Sequence, residues 1–215
     1  MALFVRDRSF YRKILLLGGP ISAQQIITVG VNMMDTVMLG QLDETALSAS
    51  SMAAQVHNLF HFMCMGLGMG ASVLIARYWG AEEHASLRKT LVLMYRFCLL
   101  TALAFTAAVA AAPAGIMGLL TPDEEVVAEG VRYLRIEGAF YCGIGCLFLL
   151  YGLYRALGRP GMSVALTVVS LGARVALAYL LSAIPAVGVV GIWWSVPIGW
   201  ALADLVGLIC YRTVK

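Results

Sequence analysis

Four polar side chains in an otherwise apolar stretch, Gln24, Thr28, Asn32 and Asp35, are spaced four, four and three apart. At helical spacing they fall on one face, with Ile26, Ile27, Val29, Val31 and Met34 turned elsewhere. Such a face offers one carboxylate and three neutral hydrogen-bonding groups, a set suited to holding a proton or a small cation. A second stretch repeats the device with Ser48, Ser51, Gln55 and Asn58, and His57 and His61 lie beside it. A third has Ser163, Thr167, Ser170 and Arg174. Asp35, Asn32, Thr28 and Gln24 are therefore the candidate coupling site for a proton or cation. Gln55, Asn58, Ser51, Thr167 and Ser170 are the candidate walls of a polar cavity.

Other charges add to the set. Arg174 and Asp204 sit in consecutive apolar stretches and are candidates for an ion pair, since each lowers the cost of holding the other out of water. Glu137, one helical turn beyond Tyr133, is a second candidate titrating group. Pro20 lacks a backbone N–H and is expected to kink or loosen its helix. Chemistry of other kinds finds no footing. His57 and His61 lack a third ligand, and the five cysteines form no CxxC pair, so no metal site or cofactor is expected. No nucleophile faces a positioned base, and no catalytic residue is expected. Gly66 and Gly70 lie in an apolar helix with no strand before them. They read as a helix-packing GxxxG rather than a nucleotide loop.

The elements that carry these residues follow from composition. Hydrophobic residues make up 61% of the 215 and charged residues 13%, and the mean hydropathy is +0.86. Such a chain is neither disordered nor an ordinary water-exposed globule. A crossing helix takes about 20 residues, which gives six spans in a single all-α, polytopic membrane domain over 1–215. The spans are about 14–39, 46–78, 92–119, 131–156, 162–181 and 187–211, with Pro160 and Pro185 among the breaks.

Charge placement tests that partition. Basic residues occupy the N-terminal tail (Arg6, Arg8, Arg12, Lys13), the second connection (Arg77, Arg88, Lys89, Arg96), the fourth (Arg155, Arg159) and the C-terminus (Arg212, Lys215). The first and third connections carry Asp43, Glu44, Asp123, Glu124, Glu125 and Glu129, and the fifth is uncharged. The alternation puts both termini in the cytoplasm, and the location expected is the inner (cytoplasmic) membrane, multi-pass. The first span follows a basic tail and holds Gln, Asn and Asp, unlike a cleavable signal peptide. Basic loops set by topology give no support to nucleic-acid binding.

At this point a resemblance enters. Phe10–Lys13, Pro20, Gln24–Gln25, the run Asn32-Met-Met-Asp-Thr-Val-Met-Leu-Gly40, Ala46–Ala49, Gln55, Gly70–Ser72 and Ala76–Gly80 resemble the start of a multidrug and toxic compound extrusion (MATE) transporter. The resemblance implies an antiporter that exports cationic amphipathic drugs or toxins against entering protons or sodium, with Asp35 matching the first-helix acid of the amino-terminal lobe. It implies twelve spans in two six-helix lobes, of which this chain supplies one. Leu120–Val126, Tyr133–Ile136, Arg155–Pro160, Ala173–Tyr179 and Gly191–Ser195 are more similar to the carboxy-terminal lobe. The fifth helix offers Ser170 and Arg174 where the amino-terminal lobe commonly places Asn and Asp.

Rocking of one helical repeat against another around a midplane site is the usual route to alternating access. One lobe therefore implies a homodimer or a second half transporter, with membrane lipid and a small cationic substrate as the other partners. A flippase for a lipid-linked substrate and a non-transporting scaffold or truncated remnant are the alternatives.

Overall fold

The computed structural model describes residues 8–184 and 187–213. Arg6, Pro185 and Lys215 lie outside the described residues, as do the side chains of Lys13 and Arg212. Eight α-helices follow one another with no strand among the described residues: α1 Arg8–Leu42, α2 Glu44–Gly80, α3 His84–Ala111, α4 Pro113–Leu120, α5 Glu124–Gly138, α6 Tyr141–Ala156, α7 Pro160–Ser182 and α8 Gly188–Thr213. Five of them are long and apolar enough to cross a membrane, and α5 with α6, bent by 52° at their junction, would make a sixth if the pair spans as one. The described residues form an all-α bundle with five or six such candidate spans.

The breaks have local causes. Asp43 alone separates α1 from α2, and its Oδ1 accepts from the Thr45 and Ala46 amides at 2.8 and 3.2 Å. Asp123 caps α5 in the same way, through the Glu125 and Val126 amides at 3.0 and 3.4 Å. These acids satisfy orphan N–H groups and sit at the positive ends of helix dipoles. Pro113 and Pro160 stand in the first turns of α4 and α7, where a missing N–H costs nothing. Gly158 takes φ +72° just past the end of α6, a backbone state that glycine adopts freely.

Two expected spans are interrupted. The 92–119 span breaks at Ala112, because Pro113 cannot continue α3. The 131–156 span begins earlier as helix, at Glu124, and breaks at Ala139–Phe140. The Thr106 hydroxyl donates to the Gly138 carbonyl there at 2.9 Å, which satisfies a carbonyl at the break. By contrast α1 is a single helix through Pro20, whose ring leaves the Leu16 carbonyl without its helical donor.

The core lies where α2, α5, α6 and α8 meet. Phe60, Leu134, Tyr141, Tyr154, Trp193 and Ala203 are buried in one cluster. The most extensive pairing is α7 with α8. Small residues permit it, since a Cβ at Gly199 would stand 2.6 Å from the Ser170 carbonyl oxygen. The Gly66/Gly70 expectation is corrected here. Nothing lies within 4 Å of a Cβ at either, and α2 meets α6 beside Gly68, whose carbonyl oxygen would stand 3.9 Å from a Cβ at Gly152. All five cysteines are free thiols.

Candidate functional site

A cavity of about 390 Å³ opens between α1 and α2 on one side and α5 to α8 on the other. The α1 face expected from spacing lines it. Gln24, Thr28, Asn32 and Asp35 are all on the wall, with Gln25 and Thr36 beside them. Gln24 and Asp35 are buried, while Asn32 stands at the exposed mouth. Thr28 and Thr36 donate to the Gln24 and Asn32 carbonyls, each at 2.9 Å, so their hydroxyl protons are spent within the helix.

Asp35 is 6% exposed and its Oδ2 pairs with Arg174 Nη2. This corrects the expected partnership of Arg174 with Asp204. Helix α7 lies against α1 as well as α8, and Arg174 shares the Thr167–Ser170 face that lines the cavity, so its guanidinium reaches Asp35. Asp204 does not line the cavity. Its Oδ2 lies by Gly143, and its Oδ1 is buried with no hydrogen-bond partner among the described residues.

A second charge pair sits deeper in the wall. Glu137, 3% exposed, has Oε1 3.1 Å from His57 Nδ1, and the Tyr133 hydroxyl lies beside it. The Trp200 indole stacks on the His57 ring at 5.7 Å and 19°. His61 lies 6.2 Å from His57, ring to ring.

Of the α2 residues expected to line the cavity, Ser51 and Asn58 do so at its mouth. Gln55 does not, and is exposed on another side of the helix. The lining face is rotated toward Ser50, Ala54, His57 and His61. Thr167 and Ser170 line the cavity and are buried. The Thr167 hydroxyl lies 3.0 Å from both the Tyr151 hydroxyl and the Ser163 carbonyl.

Sequence spacing missed Arg155. It had the position of a loop charge, yet from the last turn of α6 it turns back and donates from Nη2 to Gln24 Oε1 at 2.7 Å. That bond ties α6 to α1 at one end of the cavity. No carboxylate pairs with Arg155 among the described residues. Trp193 and Trp200 are cavity walls, and the Trp193 indole donates to Ser50 at 3.2 Å. Trp194 is exposed, against Phe140. No group of three or more His, Cys, Asp or Glu could hold a metal ion among the described residues.

Five or six candidate spans around a cavity lined by charged and polar side chains suit a membrane transporter. The MatE family model matches residues 20–180, and the chain belongs to that family of multidrug transporters. Relatives bearing the name probable multidrug resistance protein NorM include one from Agrobacterium fabrum, 28% identical over 196 residues, 85% of this chain and 40% of the relative. One from Pseudomonas aeruginosa is 28% identical over 206 residues, 93% of this chain and 42% of the relative. The chain thus spans about two fifths of the length of these curated relatives. Among solved structures, the bent form of the Vibrio cholerae MATE transporter VcmN superposes with TM-score 0.86 at 18% identity, covering 97% of this chain and 48% of that one. A Pyrococcus furiosus transporter of the MOP superfamily, described as having a binding pocket of reverse polarity, gives 0.84 at 20% identity over 91% of this chain and 43% of that one. The fold is therefore that of about half a MATE transporter.

Proposed function

We propose that this chain is one lobe of a proton- or sodium-coupled antiporter that exports cationic amphipathic molecules across the inner membrane, with both termini cytoplasmic. It works in this reading as a homodimer or with a second half transporter, and it carries no catalytic step. The observation that carries the reading is the cavity itself. Two carboxylates line it from facing sides, Asp35 from α1 and Glu137 from α5, while Gln25, Asn32, Thr36, Ser51 and Asn58 stand exposed at its mouth. Lipid cannot hydrogen-bond those mouth residues, and a second lobe facing them would enclose the cavity.

The exchange follows from competition. Asp35 is held by Arg174 in this conformation, so an entering proton or cation must displace the guanidinium. The Asp35–Arg174 contact joins α1 to α7, and its loss would free α1 to shift. Coupled exchange results when the two arrangements open the cavity to opposite sides. In everted vesicles, efflux of a fluorescent lipophilic cation is expected to follow an imposed proton or sodium gradient. Asp35→Asn is expected to abolish that efflux at unchanged expression, and unchanged efflux would sink the reading.

One observation favours a second reading. Arg155 faces the cavity without an acid partner, and Arg174, His57 and His61 line it too. That set suits the anionic headgroup of a lipid-linked substrate, as in a flippase. Translocation of a fluorescent polyprenyl pyrophosphate, lost in Arg155→Gln, would select it. A particle of one chain with neither activity would select a non-transporting scaffold or remnant.

A further inference from the structure

The geometry points to the His57–Glu137 pair as a second proton-carrying site of this lobe, in addition to Asp35, taking up one proton in competition with a cationic substrate. This rests on the antiport reading and goes beyond it, because it names the proton and adds a site for it that Asp35 does not provide.

Asp35 is already covered by Arg174, which leaves Glu137 as the other carboxylate on the cavity wall. Its Oε1 is 3.1 Å from an imidazole nitrogen. Sodium, a hard cation, needs a shell of oxygens. Beside the Glu137 carboxylate the described neighbours supply the phenol oxygens of Tyr133 and Tyr141 and the imidazole of His57, short of such a shell, and Tyr141 lies 6.1 Å from His57, ring to ring. A proton needs only one nitrogen, and His57 has Nε2 left over.

With the imidazole neutral, the pair carries the one negative charge of Glu137. A proton that binds Nε2 makes an imidazolium, and the pair becomes neutral. Release reverses that step while the ring stays beside the carboxylate. Only the negative state attracts a cation, so proton and substrate exclude each other. The charged and titratable groups facing the pair are few. From α2 there is His61, from α5 Tyr133, from α6 Tyr141 and, farther along the cavity, Arg155. From α7 there is Arg174, whose field reaches Glu137 and which also neutralises Asp35 of α1. Helix α8 contributes Trp200 and no charged group to the cavity.

Trp200 supplies the reporter, since an imidazolium against an indole quenches its fluorescence. Purified protein in lipid nanodiscs is titrated from pH 9 to pH 5, with and without tetraphenylphosphonium. The expected result is a one-proton quench, whose midpoint moves to lower pH by about one unit when the cation stands tenfold above its dissociation constant. His57→Gln should abolish the quench. Trp200→Phe, which keeps the pair, should remove the optical signal without loss of fold. Glu137→Gln should leave a quench that no longer responds to the cation. A quench that persists in His57→Gln, no quench in the wild type, or a midpoint indifferent to the cation each overturns the proposal. Efflux of the same cation from vesicles is scored separately. Competition without efflux refutes the antiport reading alone, and efflux without competition refutes this assignment alone.

Discussion

Helices α1 and α8 both cross the bundle and both carry an aspartate, yet they belong to it in different ways. Of the most apolar stretch of α1, 6% lies buried within the chain, against 50% for α8. Helix α8 is wedged against α7, α6 and α5, with Trp193, Val196, Trp200 and Ala203 in the core. Helix α1 rests mainly on α7 and is pinned at two named points, Gln24 to Arg155 and Asp35 to Arg174. Its acid is paired and lines the cavity, while that of α8 has no ion-pair partner among the described residues and lies outside the cavity lining. The contrast separates a helix that holds the lobe together from one held by a small apolar patch, Met38 and Leu39 with Ala178 and Ile192, and by polar contacts that a ligand can contest.

Substitutions can break that contrast or sharpen it. The largest expected effect is at Arg174. Arg174→Gln leaves Asp35 buried without its partner, a loss of about 3–5 kcal/mol, and Asp35→Asn in the same chain should recover most of it. Reversible unfolding in mixed detergent micelles measures both. Next is Trp193→Ala, which empties a fully buried site in α8 and should cost about 3 kcal/mol. Its counterpart on α1, Val29→Ala, should stay within about 0.5 kcal/mol. Gly199→Ala should cost about 1–3 kcal/mol, because the added methyl meets the Ser170 carbonyl. Gly30→Ala, with nothing within 4 Å, should be neutral or slightly stabilising in the same assay. The smallest effect is expected at Asp204→Asn, within about 1 kcal/mol, since no charge partner is lost. A large loss there would mean that α8 depends on its acid as α1 does.

Much of this was legible before any coordinates. Hydropathy and length indicate an all-α chain of membrane-length helices, and the four-four-three spacing puts Gln24, Thr28, Asn32 and Asp35 on the cavity lining. What failed was the choice of partners across helices. Pairing Arg174 with Asp204 follows from α7 and α8 being consecutive, yet consecutive helices need not turn their charges toward each other. The better signal was already present, since Thr167, Ser170 and Arg174 share a face and that face is the cavity's. On α2 the polar stripe Ser48, Ser51, Gln55 and Asn58 lies about 100° of helical rotation from the Ser50, Ala54, His57 and His61 wall, which leaves His57 beside that stripe and in the site. Arg155 looked like a topological charge because periodicity cannot tell that a side chain at a helix end turns back toward Gln24. The interruption at Ala139–Phe140 was invisible, because neither residue is a helix breaker.

That interruption has a mechanical consequence. A crossing made of two rods at an elbow does not transmit a push from one end to the other as a single rod does. Glu137 sits on the last turn before the elbow, and the Thr106 hydroxyl steadies the joint from α3. Tilting of the Glu124–Gly138 rod alone would swing the carboxylate sideways while the Tyr141–Ala156 rod, anchored by the Tyr154 hydroxyl on the Gly207 carbonyl at 2.9 Å, stays where it is.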